Sequence, residues 1–270
     1  MSRSLIKISS KYCNNLAYYK QGKGQAVLFI HGFPEDASIW FGVMDKLEDK
    51  YTLLAIDLPG VGNSIAALGE LSMESMATCI YDVLANEDVE TAVIVGHSMG
   101  GYVALAFAEF FEDRLQGMSM VHSTASQDTG EKLSNRKKAI AIIEKGGKEI
   151  FVKQMVVNLF SKVFVVNNEA LINAQIDKAL NIKAESLIAF YNAMIKRSDR
   201  SDILLNKAFP IQWVMGVDDM VTPSKNTMQH CISANVNFVS LYQDCAHMCM
   251  VEKEDELYKD LSAFLEYCYQ

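Results

Sequence analysis

The segment TAVIVGHSMGGYVALAFAEF, residues 91–110, constrains the fold of this chain more than any other. Its first five residues favour β structure, the motif Gly96-x-Ser98-x-Gly100 follows, and apolar residues at helical spacing come next. A buried strand that ends in G-x-S-x-G and opens a helix is typical of a nucleophile elbow. Such a turn lifts the Ser98 hydroxyl off the sheet edge, where a base can take its proton.

The residues around the serine suit such a turn. Gly96 and Gly100 leave room for it, because a Cβ at either position would clash. The backbone N–H of Met99 opens the following helix and is expected to point to the space where an oxyanion would form.

Strands alternate with helical patterns on both sides of this segment. This alternation predicts an α/β fold with a mostly parallel, doubly wound sheet, in which ligands lie at the carboxyl ends of the strands. Two short strands at the start, 5–9 and 16–20, are expected to be joined by a turn at Asn14-Asn15. The further strands are predicted at 25–30, 51–56, 91–95, 115–122, 210–216 and 236–242, and core helices begin near 38, at 71–84 and at 252–267.

The pattern changes between about residues 125 and 206, where no strong buried strand is predicted. Helical runs are expected instead at 132–145, 148–159, 169–180 and 184–195. We therefore predict a core of residues 1–124 and 207–270 and a helical insertion of residues 125–206. The insertion carries a basic cluster that we interpret as a solvated helix face, formed by Lys132, Arg136, Lys137, Lys138, Lys145 and Lys148.

The five histidines are the candidate general bases. His247 is preferred because it follows the last strand, as the chain order Ser…Asp…His requires. Of the other four, His31 and His97 are expected to lie in tight turns, with His97 pointing away from Ser98. His122 is expected to line the pocket, and His230 is expected to be exposed in a polar run.

Asp218 and Asp219 compete as the acid on the loop after strand 210–216. Asp219 is preferred, and its carboxylate would hold the His247 tautomer and stabilise the imidazolium. Cys245 and Cys249 flank His247, but Cys-x-His-x-Cys matches no standard zinc pattern, so no metal is expected.

Composition excludes several classes of protein. A net charge of −8 argues against a nucleic-acid partner. The six cysteines show no framework spacing and are expected as free thiols. Neither a signal sequence nor an apolar run of about 20 residues is evident, so a cytoplasmic protein without membrane insertion is expected. The oligomeric state is not predicted.

Five motifs, HGFP, DLPGVGNS, GHSMGG, GVDDMVTP and CAHMCMVE, occur in an order and context that resemble the α/β-hydrolase superfamily. The resemblance implies Ser98 as nucleophile, Asp219 as acid and His247 as base. It also implies an oxyanion hole from the N–H groups of Phe33 and Met99, and a helical cap in the insertion. HGFPE followed by Trp40 is similar to epoxide hydrolases and dehalogenases, which use an aspartate nucleophile.

The serine points instead to the ester, lactone or C–C hydrolase branches, or to perhydrolases. The resemblance thus implies a cofactor-free serine hydrolase that acts on a carboxylic ester or related small acyl substrate. A small-molecule receptor on the same fold, a perhydrolase and a C–C hydrolase remain alternatives. Met99, Met220, Met248 and Phe33 are expected to line an apolar pocket that favours a small or medium acyl group.

Overall fold

The computed structural model describes residues 2–67, 69–205 and 207–270. Within them, eight strands form one sheet of order β1-β2-β4-β3-β5-β6-β7-β8. Strand β2 alone runs against the others, since β1 and β4 pair with it antiparallel and every other pair is parallel. The strands are β1 (Ser4–Ser10), β2 (Cys13–Gly22), β3 (Gln25–Ile30), β4 (Tyr51–Asp57), β5 (Ala92–His97), β6 (Leu115–Val121), β7 (Ile211–Gly216) and β8 (Asn237–Tyr242).

Helices flank the sheet and fill the connections between the parallel strands. The longer ones outside the insertion are α2, α3 and α11, and α11 buries the predicted stripe of Leu257, Leu261, Phe264 and Leu265. The eleven α-helices of the described residues are α1 (Phe41–Leu47), α2 (Met73–Asn86), α3 (Met99–Phe110), α4 (Gly130–Glu144), α5 (Lys148–Val157), α6 (Lys162–Asn167), α7 (Glu169–Asn181), α8 (Ala184–Lys196), α9 (Ser224–Thr227), α10 (Cys249–Glu252) and α11 (Glu254–Cys268).

The predicted turn at Asn14-Asn15 is wrong. Both asparagines lie in β2, and the chain turns three residues earlier, at Lys11-Tyr12, where Ser10 pairs with Cys13. The earlier turn keeps the fully buried Cys13 inside the sheet, so the packing of an apolar side chain outweighs the turn preference of asparagine.

Five helices, α4 to α8, connect β6 to β7, as the change of pattern predicts. In this layer α5 packs on α7 and α4 packs on α8. The sequence did not predict α6, whose run of valine and phenylalanine favours a strand. Ser161 caps it by accepting a hydrogen bond from Phe164 N. The division into core and insertion as separate units stays a prediction.

The predicted final helix at 252–267 is two helices that break at Lys253. The break leaves the Glu252 carboxylate turned back toward the chain before it, where Ala246 N and Ser161 N donate to its two oxygens at 3.1 and 2.9 Å. No helix among the described residues combines the length and the apolar character that crossing a bilayer requires.

Candidate active site

Ser98 lies on a strained turn between β5 and α3. Its φ of 50° and ψ of −113° place a residue with a Cβ in a sparsely populated backbone region, which costs on the order of 1–3 kcal/mol. The turn is held because Ser98 N donates to Val121 O at 2.9 Å and Ser123 Oγ donates to Ser98 O at 2.8 Å. This geometry is that of the elbow that the sequence motif predicts.

The two glycines of the motif permit a close approach of the backbone. A Cβ on Gly96 would lie 2.5 Å from Gly100 O, and a Cβ on Gly100 would lie 2.5 Å from Ile30 O. Any side chain at these positions would push the helix away from the strands.

Asp219 is fully engaged through four hydrogen bonds. His247 Nδ1 donates to Oδ2 at 2.8 Å and His122 Nδ1 donates to the same oxygen at 2.9 Å. Val221 N and Thr222 N donate to Oδ1, both at 2.8 Å. Asp219 is buried while Asp218 is exposed, so the structure places Asp219, and not Asp218, against His247.

The surroundings of Asp219 keep it ionised. Burial alone would raise the pKa of this carboxyl, but the electrostatic interaction with His247 and the hydrogen bonds from His122 and His247 outweigh burial and lower it. The carboxylate therefore accepts from both imidazoles.

The prediction that His122 lines the pocket is wrong. Its ring is buried behind Asp219 and is not part of the cavity wall. Burial lowers the pKa of His122 to about 4, so the ring is neutral at pH 7. Its Nε2 atom is buried without a partner among the described residues. The sequence could have indicated that His122 belongs to the site, because it directly follows β6 as Ser98 directly follows β5.

His122 gives the fold an expected dependence on pH. An unfolded histidine titrates near 6.5 and this one near 4, so protons favour the unfolded state between these values. Stability that is complete above pH 6.5 is lost as the pH falls, by about 2 kcal/mol between pH 7 and pH 5 from this group alone.

Urea unfolding of the wild type and His122→Asn across this pH range tests the expectation. The asparagine amide keeps an N–H donor for Asp219 but does not titrate, so the stability of the variant should fall less steeply. Parallel curves for the two proteins would show that another group carries the dependence.

His97 ties the loop after β3 to the loop that carries His247. Its Nδ1 donates to Glu35 Oε2 at 2.9 Å and its Nε2 donates to His247 O at 2.9 Å. Glu35 Oε2 also accepts from Gly32 N at 2.9 Å.

Charge explains why both groups of this pair are stable when buried. Burial would lower the pKa of His97, but ionised Glu35 raises it; burial would raise the pKa of Glu35, but His97 lowers it. The sequence did not predict this buried ion pair.

Two other histidines have structural roles. His31 Nε2 accepts from Leu58 N at 3.0 Å, inside the turn that the sequence predicts. His230 is buried and not exposed as predicted: its ring stacks on Trp213 at 5.8 Å and its Nε2 lies 3.0 Å from Ser126 Oγ. Trp213 of β7 thus covers the ring of His230, although the neighbours of His230 in sequence are polar.

A cavity of about 430 Å³ brings Ser98 and His247 to one space. Phe33 and Met220 also line it, but Met99 and Met248 do not: both side chains are buried in the core, which corrects that part of the prediction. The N–H of Met99 is the first of α3 and has no acceptor within its own helix. Phe33, the other predicted oxyanion residue, packs its ring 4.6 Å from that of Tyr191.

The basic cluster on α4 and α5 is only in part a solvated face. Lys137, Lys138 and Lys145 are exposed as predicted. Lys132 and Arg136, in contrast, line the cavity. Lys148 Nζ donates to two carbonyl oxygens at the end of α7, Leu180 O and Ile182 O, at 2.8 and 2.6 Å.

His122, Asp219 and His247 place possible metal-ligand atoms within 4.8 Å of one another. Both imidazoles already donate through Nδ1 to Asp219 Oδ2, and Asp219 Oδ1 accepts two backbone N–H groups, so a cation bound by these atoms would have to displace hydrogen bonds that satisfy the site. Burial raises the pKa of the Cys245 and Cys249 thiols, which keeps both in the neutral form that binds metal poorly.

The loop of His247 is bonded to the inserted helices. His247 N donates to Leu159 O at 2.9 Å, just after α5. Glu252 accepts from Ala246 N and Met248 N with one oxygen and from Ser161 N with the other. The backbone of the candidate base is therefore held at both its groups: His247 O accepts from His97, and His247 N donates to the chain just after α5.

Comparison with known proteins is consistent with this architecture. Residues 25–143 match the family model described as alpha/beta hydrolase fold. The chain is 28% identical over 249 residues to the dihydrolipoyllysine-residue acetyltransferase component of the acetoin cleaving system of Cupriavidus necator, over 88% of this chain and 62% of that one. The chain spans between 31% and 62% of the length of the first curated relatives that it matches.

Two solved structures superpose over nearly the whole chain. A thermophilic esterase from Thermogutta terrifontis gives a TM-score of 0.92 at 24% identity, covering 99% of this chain and 100% of that one. An enol-lactonase from Burkholderia xenovorans gives 0.89 at 16% identity, covering 97% and 100%. At these identities the likeness establishes the fold, an eight-stranded, mostly parallel sheet flanked by helices.

Proposed function

We propose that this chain, whose residues 25–143 match the alpha/beta hydrolase fold family model, is a serine hydrolase that cleaves a carboxylic ester or a related acyl substrate. Ser98 is the nucleophile, His247 the general base and Asp219 the acid. The N–H groups of Phe33 and Met99 form the oxyanion hole, and α4 to α8 act as the cap that shapes the substrate cavity.

One observation carries the proposal. Ser98, on a strained strand-to-helix turn, and His247, whose Nδ1 is bonded to buried Asp219, line the same cavity. With Nδ1 donating to Asp219, the free Nε2 of a neutral His247 has a lone pair to accept the proton of Ser98 Oγ.

The reaction follows from these roles. His247 Nε2 takes the proton of Ser98 as its Oγ attacks the ester carbonyl, and the oxyanion that forms is held by the two N–H groups. The C–O bond to the leaving alcohol breaks as His247 returns the proton to that alcohol, which leaves an acyl-enzyme. His247 then deprotonates water, which attacks the acyl carbonyl, and the proton passes back to Ser98 as the acid departs.

The cavity favours a substrate of small or medium size. Its volume of about 430 Å³ lies toward the lower end of the range for ligand pockets. Aromatic and thioether side chains form much of the wall, and the flexible methionines adapt to different acyl chains. They include Phe33, Tyr102, Phe151, Met155, Tyr191 and Met194.

The test is turnover of p-nitrophenyl esters from acetate to dodecanoate, together with labelling by a fluorophosphonate probe. We expect burst or steady turnover with an optimum at short to medium acyl chains. The probe should attach to Ser98, which mass mapping of the labelled peptide would locate.

Two results would contradict the proposal. A label on another residue would move the nucleophile, and no label and no turnover would exclude an active serine. In the second case, tight ligand binding without turnover would favour a receptor. A labelled Ser98 with no ester turnover would instead direct the search to peroxide-dependent or C–C bond chemistry.

A further inference from the structure

The wall that α4 contributes to the cavity is positively charged. Lys132 and Arg136 lie four residues apart on this helix, so they share one face, and both line the cavity with Ser98 and His247. Among the described residues that line it, none carries a carboxylate side chain. This positive wall stands out in a chain with a net charge of −8.

The ion pairs around Arg136 do not cancel this charge. Arg136 Nε donates to Asp128 Oδ2 at 2.5 Å, and Arg197 Nη1 donates to Asp128 Oδ1 at 2.9 Å. Two guanidinium groups therefore share one carboxylate, which leaves a net charge of about +1 in a site shielded from water.

Arg197 and Arg136 differ in how their other donors are used. Arg197 also donates to Ser126 O at 2.7 Å and Met194 O at 3.2 Å, and it lies outside the cavity wall. Arg136 Nη1 meets only a thioether, Met194 Sδ, at 2.9 Å. Thioether sulfur is a weak acceptor, so this N–H would gain from a charged oxygen.

Neutral polar groups also line the cavity. They are the amides of Asn135, Gln154 and Asn158, and amide N–H groups donate readily to carboxylate oxygens. Phe33 and Met220 contribute apolar surface to the same cavity. A ligand that fits would carry an anion at one end of an apolar body.

We propose that the cavity binds esters with a second, ionised carboxylate, held by Arg136 and Lys132 while the ester lies at Ser98. The natural substrate class is then a monoester of a dicarboxylic acid, or a lactone bearing a carboxylate. The hydrolytic step rests on the proposed function, but the anion site does not.

The experiment compares esters of equal chain length that end in a carboxylate or in a methyl group. Monomethyl esters of the C4 to C8 dicarboxylic acids are paired with methyl esters of the monocarboxylic acids of the same length, and acid release gives kcat/KM for each. We expect the charged ester of the best length to be preferred by about tenfold or more, since one charge-assisted contact supplies that much.

Three variants test which residues cause the preference for the charged ester. Lys132→Met and Arg136→Gln should each lower the charged-to-neutral ratio several-fold. Lys137→Met, on the exposed face of the same helix, should leave it unchanged. Arg136→Gln also breaks the bond to Asp128, so Lys132, which forms no ion pair with the described part of the chain, keeps the test valid if that variant fails to fold.

A binding measurement separates this proposal from the hydrolytic one. Calorimetry on Ser98→Ala with monomethyl adipate and methyl hexanoate reads the anion site without turnover. Tighter binding of the charged ester, weakened by Lys132→Met, supports the site even if no ester is cleaved. Equal binding of the two esters, or a ratio that ignores Lys132 and Arg136, would overturn it even if neutral esters are hydrolysed well.

Discussion

Replacing Ser98 with alanine is expected to lower kcat for ester hydrolysis by about four to six orders of magnitude. In the proposed mechanism, the substitution removes the atom that attacks the carbonyl and leaves the proposed oxyanion donors and the cavity in place. A residual rate above that of uncatalysed ester hydrolysis in water should therefore persist, because those groups still act on a directly attacking water molecule. The measurement is kcat and KM on the best p-nitrophenyl ester, with KM changing far less than kcat.

The fold offers an internal control for this variant. Both serine and alanine carry a Cβ, so the positive φ at position 98 strains each to the same extent. The thermal midpoint of Ser98→Ala should therefore stay near that of the wild type. An activity within tenfold of the wild type in a folded variant would show that another residue attacks the substrate.

Asp219→Asn is expected to lower kcat by about 10,000-fold. Each carboxylate oxygen of Asp219 accepts two N–H donors, the backbone pair on Oδ1 and the two imidazoles on Oδ2. An asparagine must turn its NH₂ group toward one pair of donors, whichever way it flips. The amide N–H would then face N–H groups that it cannot accept from. His247 would lose either the hydrogen bond that fixes its tautomer or the loop conformation that aligns it.

Asp218→Asn is the matched control for this variant. It makes the same change of one atom on the neighbouring residue, whose side chain is exposed. We expect its kcat to stay within about twofold of the wild type, in keeping with the small effect of most surface substitutions. Equal losses in the two variants would contradict the role assigned to Asp219 and would point to the charge of the loop as a whole.

The features that the sequence predicted are those with a local cause. A buried strand, a G-x-S-x-G turn and a small-residue helix follow one another along the chain, so the elbow at Ser98 was predictable from one segment. The parallel sheet follows from the alternation of apolar strands and helices, and the structure confirms it. The assignment of Ser98, Asp219 and His247 to the chemistry stays a prediction until turnover is measured.

The features that were missed depend on contacts between distant segments. His122 and Asp219 are 97 residues apart in sequence, and His97 and His247 are 150 apart. The polar neighbours of His230 indicated exposure, but Trp213 covers its ring. Arg136 lies in a helix with six charged residues among fifteen, and its ion pair with Asp128 and its contact with Met194 Sδ, 58 residues away, hold it inward. Spacing along the chain contains no information about such partners.

If His247 is the general base, the hydrogen bond from its N–H to Leu159 O has a consequence for the timing of the proposed reaction. A movement that lifts the end of α5 to admit substrate must break this bond and loosen the loop of the general base. The molecule is then least reactive while it is open to solvent, and the proton-transfer geometry is restored only as it shuts. In the proposed mechanism, substrate entry and the alignment of the base would thus be coupled through the hydrogen bonds that His247 N and Glu252 make to the residues after α5.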